Sequence, residues 1–203
     1  MITLAFDTAT ATATVAVAQE DDVLAERRST PVRVLREIDD ALAEVGAERG
    51  DIDRLVVGTG PGSYTSLRMG LVTARTLAFA LGVPAAGVST LAALAAGTPG
   101  AVPILDARRG EVFTLVGGEP RVLAPEDLDV VSGGTYVGDG AVRYRAVIEA
   151  KGGTVPADDD AHVPLARHHI RLAHAFGDAE RLEPLYLRVP DAELALREGR
   201  LRV

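Results

Sequence analysis

The sequence predicts an α/β protein built from two similar lobes, and three observations lead to this fold class. An order of strand, strand, strand, helix, strand and helix is predicted twice along the 203 residues. The first predicted strand of each half ends in an aspartate, Asp7 in one half and Asp106 in the other. A segment rich in Gly, Thr and Pro at 97–100 separates the halves, so we predict an N-terminal lobe at 1–98 and a C-terminal lobe at 99–203.

Three strands open the first half. The apolar run at 2–6 is the first, alternation at 12–18 predicts the second, and residues 23–27 return as the third. A helix follows, with Thr30 as the predicted N-cap and Pro31 in the first turn. One apolar stripe on this helix predicts a buried face. The stripe consists of Val34, Leu35, Ile38, Leu42 and Val45.

A strand and a long helix complete the first half, and the second half repeats the order with a shortened middle helix. The strand is predicted at 54–57, and a glycine loop from Gly58 leads into a helix at about 66–81, which Gly82 ends. The second half is predicted to contain strands at 102–105, 111–116 and 121–123, a helical turn at 125–128, a strand at 136–137 and a helix at 141–151. Duplicated halves of this order, each with an aspartate after the first strand, predict the actin-like, sugar-kinase and Hsp70 fold.

Composition and charge exclude several classes of function. The chain has no cysteine, which excludes disulfides, thiolate metal sites and cysteine nucleophiles. A net charge of −8 with scattered basic residues argues against strong, direct nucleic-acid binding. Asp7 interrupts the first apolar run and Pro84 splits the low-charge segment at 82–100, so we expect neither a signal peptide nor a membrane span. These features predict a cytoplasmic protein without a membrane role.

The two aspartates that follow the first strands allow two interpretations. In nucleotide-hydrolysing members of this fold, such loops carry a metal-linked carboxylate and phosphate-binding hydroxyls, which here would come from Asp7, Thr8 and Asp106. An aspartate after a strand also commonly makes an Asx-turn, in which its side chain caps its own backbone. The sequence leaves both interpretations open.

The glycine loop before the long helix also allows two interpretations. The N–H groups of Gly60, Gly62 and Ser63 precede a helix N-terminus, where the helix dipole favours an anion such as phosphate. Pro61 removes one donor, however, and no lysine follows the loop. The alternative is a geometric turn that swings a buried strand into a buried helix. A serine-hydrolase elbow is not supported, because Thr65 stands where its last glycine is required.

The long helix is apolar around most of its girth, which predicts burial on two sides. Met69 and Val72 carry the apolar surface beyond the stripe that faces the sheet. Gly70, Ala74 and Ala78 form a small-residue ridge that would let another helix approach closely. The second side requires either the preceding helix or a second chain, and the sequence leaves both possibilities open.

The histidines predict no metal site. All four occur from His162 onwards, and no pair has the i, i+4 spacing that places two imidazoles on one helix face. We expect His168, His169 and His174 to lie on an exposed, polar helix face.

Five segments of the chain resemble the TsaB (YeaZ) family, in the same order along nearly the whole sequence. They are ITLAFDTAT at 2–10, GTGPGSYTSLRMG at 58–70, LDARRGEVF at 105–113, VGDG at 137–140 and PLYLRVP at 184–190. The block Gly-Pro-Gly-Ser-aromatic-Thr-x-Leu-Arg is the most specific of these matches. Members of the family are accessory subunits for making N6-threonylcarbamoyladenosine at position 37 of tRNAs that read ANN codons.

The resemblance implies a non-catalytic role, with no catalytic residue, metal or cofactor in this chain. The related enzyme TsaD uses a metal held by a His-x-x-x-His pair in its first lobe, and this sequence has no histidine before His162. The resemblance further implies a heterodimer with a TsaD-type transferase, docking of a TsaE-type ATPase on that pair, and contact with tRNA only through the complex. We also expect the isolated chain to form a homodimer through an exposed apolar face.

Two sets of site residues follow from the resemblance and the sequence pattern together. The predicted partner interface consists of Leu35, Ile38, Leu42, Arg68, Met69, Val72, Arg75 and Thr76. The predicted vestigial nucleotide cleft consists of Asp7, Thr8, Gly60, Gly62, Ser63 and Asp106.

Two rival functions stay open at the level of sequence. One is an actin-fold phosphotransferase or ATPase that uses Asp7 and Asp106 around a Mg-nucleotide. The other is a peptidase, for which the sequence offers no Ser/His/Asp arrangement and no metal-ligand spacing.

Overall fold

The computed structural model describes residues 1–20 and 22–188, and its strands form two sheets. The first sheet has five strands in the order β3-β2-β1-β4-β5. They are β1 (Ile2–Asp7), β2 (Ala13–Gln19), β3 (Asp22–Ser29), β4 (Ile52–Gly58) and β5 (Ala85–Val88). β1 pairs antiparallel with β2 and parallel with β4, and β4 pairs parallel with β5. The carboxyl ends of β1, β4 and β5 therefore meet at one edge of the sheet.

The first sheet is buried on both faces because its central strands are almost uninterrupted apolar runs. Leu4 and Phe6 of β1 belong to one core cluster, and Ala5 between them belongs to another. Helices α1 (Val34–Glu44) and α2 (Tyr64–Leu81) contribute to the cluster of Leu4 and Phe6. Helix α3 (Thr90–Gly97) contributes to the cluster on the opposite face.

The second sheet has four strands in the order β8-β7-β6-β9. They are β6 (Val102–Arg108), β7 (Glu111–Val116), β8 (Glu119–Leu123) and β9 (Tyr136–Val137). Two short helices follow, α4 (Asp139–Arg143) and α5 (Arg145–Ala150). β6 thus occupies the place in the second sheet that β1 has in the first, with an antiparallel neighbour on one side and a parallel neighbour on the other.

The chain returns to the first sheet after the second sheet is complete. Helix α6 (Ala166–Leu172) places Ala166 and Ile170 in the core cluster that contains Ala5. The Gly177 N–H then donates to the carbonyl of Ala85 at 3.0 Å, which continues the edge at β5. Residues from the predicted second lobe therefore complete the core of the first sheet, and the boundary at residue 98 stays a prediction.

Most of the predicted elements are confirmed, including both strand meanders, β4, α1 and α2, which Gly82 ends in the left-handed conformation. β5 and α3 were not predicted, because both are short runs of small and apolar residues without a period that separates strand from helix. The single helix predicted at 141–151 is wrong. It is two helices, because Tyr144, with φ −107° and ψ 26°, interrupts the helical backbone between them.

Gly70, in the small-residue ridge of α2, packs against Thr8, the residue after β1, whereas the sequence predicted that the ridge would receive another helix. A Cβ atom at Gly70 would overlap the Oγ1 atom of Thr8. Ala74 and Ala78 are buried on the same side of the helix. This close approach lets Thr8 Oγ1 donate a hydrogen bond to the carbonyl of Ser66 at 2.7 Å.

We expect the Gly70→Ala variant to be less stable than the parent protein, by about 1–3 kcal/mol. An added methyl group normally stabilises a helix interior by about 1 kcal/mol, but here it overpacks the contact with Thr8. Urea unfolding measures the difference. Gly50→Ala is the matched control, because nothing lies within 4 Å of a Cβ atom at Gly50. A Gly70→Ala variant that is more stable than the parent would contradict the packing described.

Candidate functional site

A cavity of about 410 Å³ lies between the two lobes, where the ends of β1 and β6 face each other. Three of the six predicted cleft residues line it, namely Gly62, Ser63 and Asp106. The other three, Asp7, Thr8 and Gly60, are buried and are not among its lining residues. A cavity therefore lies beside three of the six residues predicted for the cleft, whereas the other three are buried inside the protein.

The carboxylate of Asp7 is fully engaged by groups of this chain. Its Oδ1 atom accepts a hydrogen bond from the N–H of Ala9 at 2.6 Å, which is an Asx-turn. Its Oδ2 atom accepts from the hydroxyl of Thr90 at 2.7 Å and lies 2.8 Å from Nε2 of His169. Asp7 and His169 have 1% and 0% of their side chains exposed. Both oxygens are thus satisfied in a site closed to solvent.

His169 is held between two oxygen atoms. Its Nδ1 atom lies 3.2 Å from the carbonyl of Leu165, the residue that precedes α6, and its Nε2 atom lies 2.8 Å from Asp7 Oδ2. The expectation that His168 and His169 lie on an exposed face is wrong, because both are buried; His174 is exposed as expected. The small and apolar residues at 166, 170 and 173 were the available signal that this side of α6 faces the core.

Gly58 at the end of β4 makes room for this arrangement. A Cβ atom there would overlap the carboxylate of Asp7. Thr90, which also binds the Asp7 carboxylate, makes two hydrogen bonds to Gly60 in the glycine loop. The N–H of Gly60 donates to the Thr90 hydroxyl at 3.1 Å, and the N–H of Thr90 donates to the Gly60 carbonyl at 2.8 Å. The loop, the start of α3 and the end of β1 are therefore joined through one buried network.

The glycine loop uses its N–H groups internally. The N–H of Gly60 is bound by Thr90, and the N–H of Ser63 donates to the carbonyl of Ala9 at 2.7 Å. Gly62 lies so close to the neighbouring loop that a Cβ atom would overlap the carbonyl of Ala9. Two of the three N–H groups that the phosphate interpretation requires are thus occupied, and the geometry agrees with the alternative of a tight structural turn.

Asp106 repeats the Asx-turn of Asp7 in the second lobe. Its Oδ1 atom accepts from the N–H of Arg108 at 2.9 Å, and its Oδ2 atom lies 3.1 Å from Arg108 Nη1 and 3.3 Å from Arg143 Nη1. Asp139 accepts the N–H of Asp106 at 2.9 Å. Burial raises the pKa of Asp139; the Asp106 N–H opposes this rise and the Asp106 charge adds to it. Arginines already compensate the carboxylate of Asp106 that borders the cavity.

The predicted partner interface divides into exposed and buried residues. Val72 is 58% exposed and Leu35 is 47% exposed, and Thr76 is also exposed. Ile38 and Leu42 were predicted at this interface, but they are fully buried in the core under α1 and cannot form part of it. An amphipathic stripe marks the apolar side of a helix, whereas the tilt of the helix on the sheet decides which residues at its margin stay exposed.

Helix α2 presents an apolar stripe that the sequence analysis identified only in part. Met69, which is half-buried, Val72, Thr76 and Phe79 follow one another at helical spacing along this side. Phe79, which the sequence analysis did not select, is 88% exposed.

The two predicted interface arginines make contacts within the chain. Arg68 donates to the hydroxyl of Tyr64 at 2.9 Å, and the guanidinium of Arg75 donates to the carbonyl of Leu182. Arg68 remains exposed and Arg75 is half-buried.

The described part of the chain contains neither a metal-binding group of side chains nor a helix that could span a membrane. Across residues 1–20 and 22–188, no group of three or more His, Cys, Asp or Glu side chains could hold a metal ion. The same residues contain no helix that is long and apolar enough to cross a membrane.

The chain is similar in sequence to tRNA-modification proteins. Residues 24–158 match the family described as "TsaD: tRNA N6-adenosine threonylcarbamoyltransferase". The Bacillus subtilis (strain 168) protein TsaB, named for tRNA threonylcarbamoyladenosine biosynthesis, is 39% identical over 123 residues, which cover 56% of this chain and 54% of TsaB. An uncharacterised Mycobacterium tuberculosis protein is 33% identical over 206 residues, which cover 94% of this chain and 93% of that protein. The match to TsaB thus spans about half the length of that relative.

Solved structures show the same architecture. YeaZ from Pseudomonas aeruginosa has a TM-score of 0.74 at 28% identity, covering 92% of this chain and 99% of that chain. The ethanolamine utilization protein EutJ from Carboxydothermus hydrogenoformans shares the fold alone, with a TM-score of 0.51 at 10% identity over 84% of this chain and 90% of its own. The fold therefore defines an α/β protein of the actin-like, sugar-kinase and Hsp70 class, as the sequence predicted. Within that class, the chain belongs to the TsaB (YeaZ) family.

We expect His169→Ala to lower the free energy of unfolding by about 3–5 kcal/mol. The substitution removes one of the three groups that contact the buried Asp7 carboxylate and leaves a space in the core beside it. Chemical denaturation measures the loss. His174→Ala is the control, and the exposed position of His174 predicts a change within about 0.5 kcal/mol. A loss below 1 kcal/mol for His169→Ala would show that the network around Asp7 is not a major source of stability.

We expect His168 to make the protein less stable in acid. Burial lowers the pKa of His168 from 6.5 to about 4, and the charges of Arg167, Arg171 and His169 add to this effect. The pKa of His168 is therefore lower in the folded protein than in the unfolded chain, and the unfolded chain takes up this proton first as the pH falls. The stability that neutral, buried His168 contributes is full above pH 6.5 and is lost as the pH falls towards 4.

Unfolding curves between neutral pH and pH 4 test this dependence. His168→Leu should flatten the fall in stability over that interval, and His174→Leu should leave it as in the parent. Equal slopes for the parent and His168→Leu would contradict the assignment.

Proposed function

We propose that this chain is a non-catalytic accessory subunit in the formation of threonylcarbamoyladenosine on N6 of adenosine 37 in tRNAs that read ANN codons. In this proposal it forms a heterodimer with a TsaD-type transferase and helps to recruit a TsaE-type ATPase. The family supports the pathway, because TsaB relatives carry that pathway in their names. The observation that carries the accessory role is the closed network around Asp7, which occupies the carboxylate that a catalytic cleft would need.

The cleft geometry favours an accessory role over phosphotransfer. A metal-linked carboxylate must offer lone pairs to the ion or its waters, and both oxygens of Asp7 already accept hydrogen bonds from buried groups. Phosphate binding at the helix start would need free N–H groups, and those of Gly60 and Ser63 are taken. Asp106 remains at the cavity but is compensated by Arg108 and Arg143.

The exposed stripe of α2 is the surface that we assign to the transferase. Phe79 and Val72 expose large apolar side chains on one helix face, and Leu35 of α1 is exposed as well. Association buries such side chains, and aromatic anchors commonly carry much of the binding energy of an interface. The interface that we propose therefore centres on Val72, Thr76 and Phe79, flanked by Met69 and Leu35.

Other features fit the same assembly. The net charge of −8 disfavours direct association with phosphate backbones, so the proposed contact with tRNA runs through the complex. In the absence of the transferase, the same apolar stripe would pair with a second copy of the chain, because an isologous contact buries it twice. We place this activity in the cytoplasm, in a unit of two lobes at 1–98 and 99–203.

We expect Val72→Glu to abolish or weaken at least tenfold the complex with the TsaD-type protein of the same organism. At the centre of the proposed interface the glutamate carboxylate would be removed from water, and no residue of that interface is assigned to pair with it. Co-purification and analytical ultracentrifugation measure complex formation. Val131→Glu is the matched control, because Val131 is similarly exposed, at 65% against 58% for Val72, but belongs to the second lobe.

Two outcomes would contradict the proposed function. An unchanged complex for Val72→Glu would remove the interface assignment. Saturable binding of ATP–Mg by the isolated chain, with hydrolysis lost in Asp7→Asn, would favour the rival phosphotransferase.

A further inference from the structure

A segment near the end of the described chain crosses from one lobe to the other. We call residues 182–188 the strap; it includes most of the PLYLRVP motif, to which the proposed function assigns no role. Leu182 is buried in the core cluster of the first sheet, between α2 and the strands. Leu187, five residues later, packs against a second core cluster, which joins Leu105 and Phe113 of the second sheet to Leu91 and Leu94 of α3. The strap thus has one apolar anchor in the core of the first sheet and one in the core between α3 and the second sheet.

Polar contacts fix the first-lobe end of the strap. The N–H of Leu185 donates to the carbonyl of Thr59 in the glycine loop at 2.8 Å. The guanidinium of Arg75, on α2, donates to the carbonyl of Leu182. One backbone carbonyl of the strap is therefore held by the helix that carries the exposed apolar stripe, and one backbone N–H is held by the glycine loop that precedes this helix.

The side chain of Arg188 supplies the polar contacts at the second-lobe end. Arg188 donates to the carbonyl of Ala107 at 2.6 Å and forms an ion pair with Glu111. These partners flank the β6–β7 turn, in which Arg108 and Arg109 adopt left-handed conformations with φ of 63° and 55°. Such backbone costs free energy in residues other than glycine and persists where the surroundings hold it. The strap is part of those surroundings.

The middle of the strap closes one side of the interlobe cavity. Residues 185–188 are among its lining residues. The ring of Tyr186 lies 5.0 Å from that of Tyr64, the first residue of α2, and Arg68 binds the hydroxyl of Tyr64. Three residues of α2, namely Tyr64, Arg68 and Arg75, thus support the strap directly or through one neighbour.

We propose that the strap is a latch that fixes the angle between the two lobes, and that partner binding on α2 tightens it. This proposal rests on the proposed function for the identity of the partner. A TsaD-type protein seated on the exposed stripe would immobilise α2 together with Arg68 and Arg75, which hold the strap. Coupling between two sites is reciprocal. Loss of the Arg188 contacts, which lie in the second lobe, must therefore weaken binding of the partner to α2 in the first lobe.

Hydrogen exchange of the strap in the isolated chain tests the latch itself. Arg188→Gln and Glu111→Gln should each speed exchange of the peptide covering 182–188 at least tenfold, without unfolding either lobe. Arg121→Gln is the matched control, because Arg121 is an exposed arginine on the outer strand β8. Strap exchange that stays at the parent rate in both test variants would overturn the latch.

The same measurement with the TsaD-type partner tests the coupling. Saturating partner should slow strap exchange at least tenfold in the parent chain, and Arg188→Gln should raise the Kd at least threefold while Arg121→Gln leaves it unchanged. A complex that forms without slowing the strap, or an unchanged Kd in Arg188→Gln, would overturn the coupling. Absence of any complex would overturn the proposed function and the coupling with it, whereas the exchange rates of the isolated variants would still decide the latch.

Discussion

The buried carboxylate of Asp7 joins segments around the first sheet that lie far apart in sequence. It ends β1, caps the following turn, accepts from Thr90 at the start of α3 and meets His169 on α6. Gly58 must lack a side chain for this carboxylate to fit. Because an unpaired charge in such a site costs several kcal/mol, the positions of these segments depend on one another. The network therefore also fixes the position of the glycine loop and of α2, which follows the loop.

This network also changes what the fold can do. The actin-like frame brings an aspartate from each lobe to the interlobe cavity, yet Asp7 is sealed behind its wall and Asp106 is compensated by arginines. The strap then forms a further side of the cavity. A frame shared with kinases therefore carries no information about activity by itself, and function must be argued from the site. Here the site agrees better with a structural and partner-binding role.

Sequence patterns were sufficient wherever the information is local. The period of α2 and the alternation in the first strands predicted their elements correctly, and the Asx-turn was an anticipated alternative at both Asp7 and Asp106. Sequence patterns failed where residues of the same type and the same helical spacing lie in different environments. Leu35 and Ile38 lie on the same apolar stripe, but only Leu35 is exposed. Phe79 was not selected, because no sequence rule states which flank of a long apolar helix remains uncovered.

The sequence by itself determined the order of most elements, the sharp turn at the glycine loop and the family to which the chain belongs. Only the tertiary structure decided that Asp7 meets Thr90 and His169, which lie 83 and 162 positions away along the chain. The physical reason is the distance along the chain over which each effect acts. Backbone preference and side-chain periodicity act over a few residues, whereas the partner of a buried charge is set by which helices the whole core brings together. For the same reason, the PLYLRVP motif marked the strap as a family feature but did not show which parts of the chain the strap contacts.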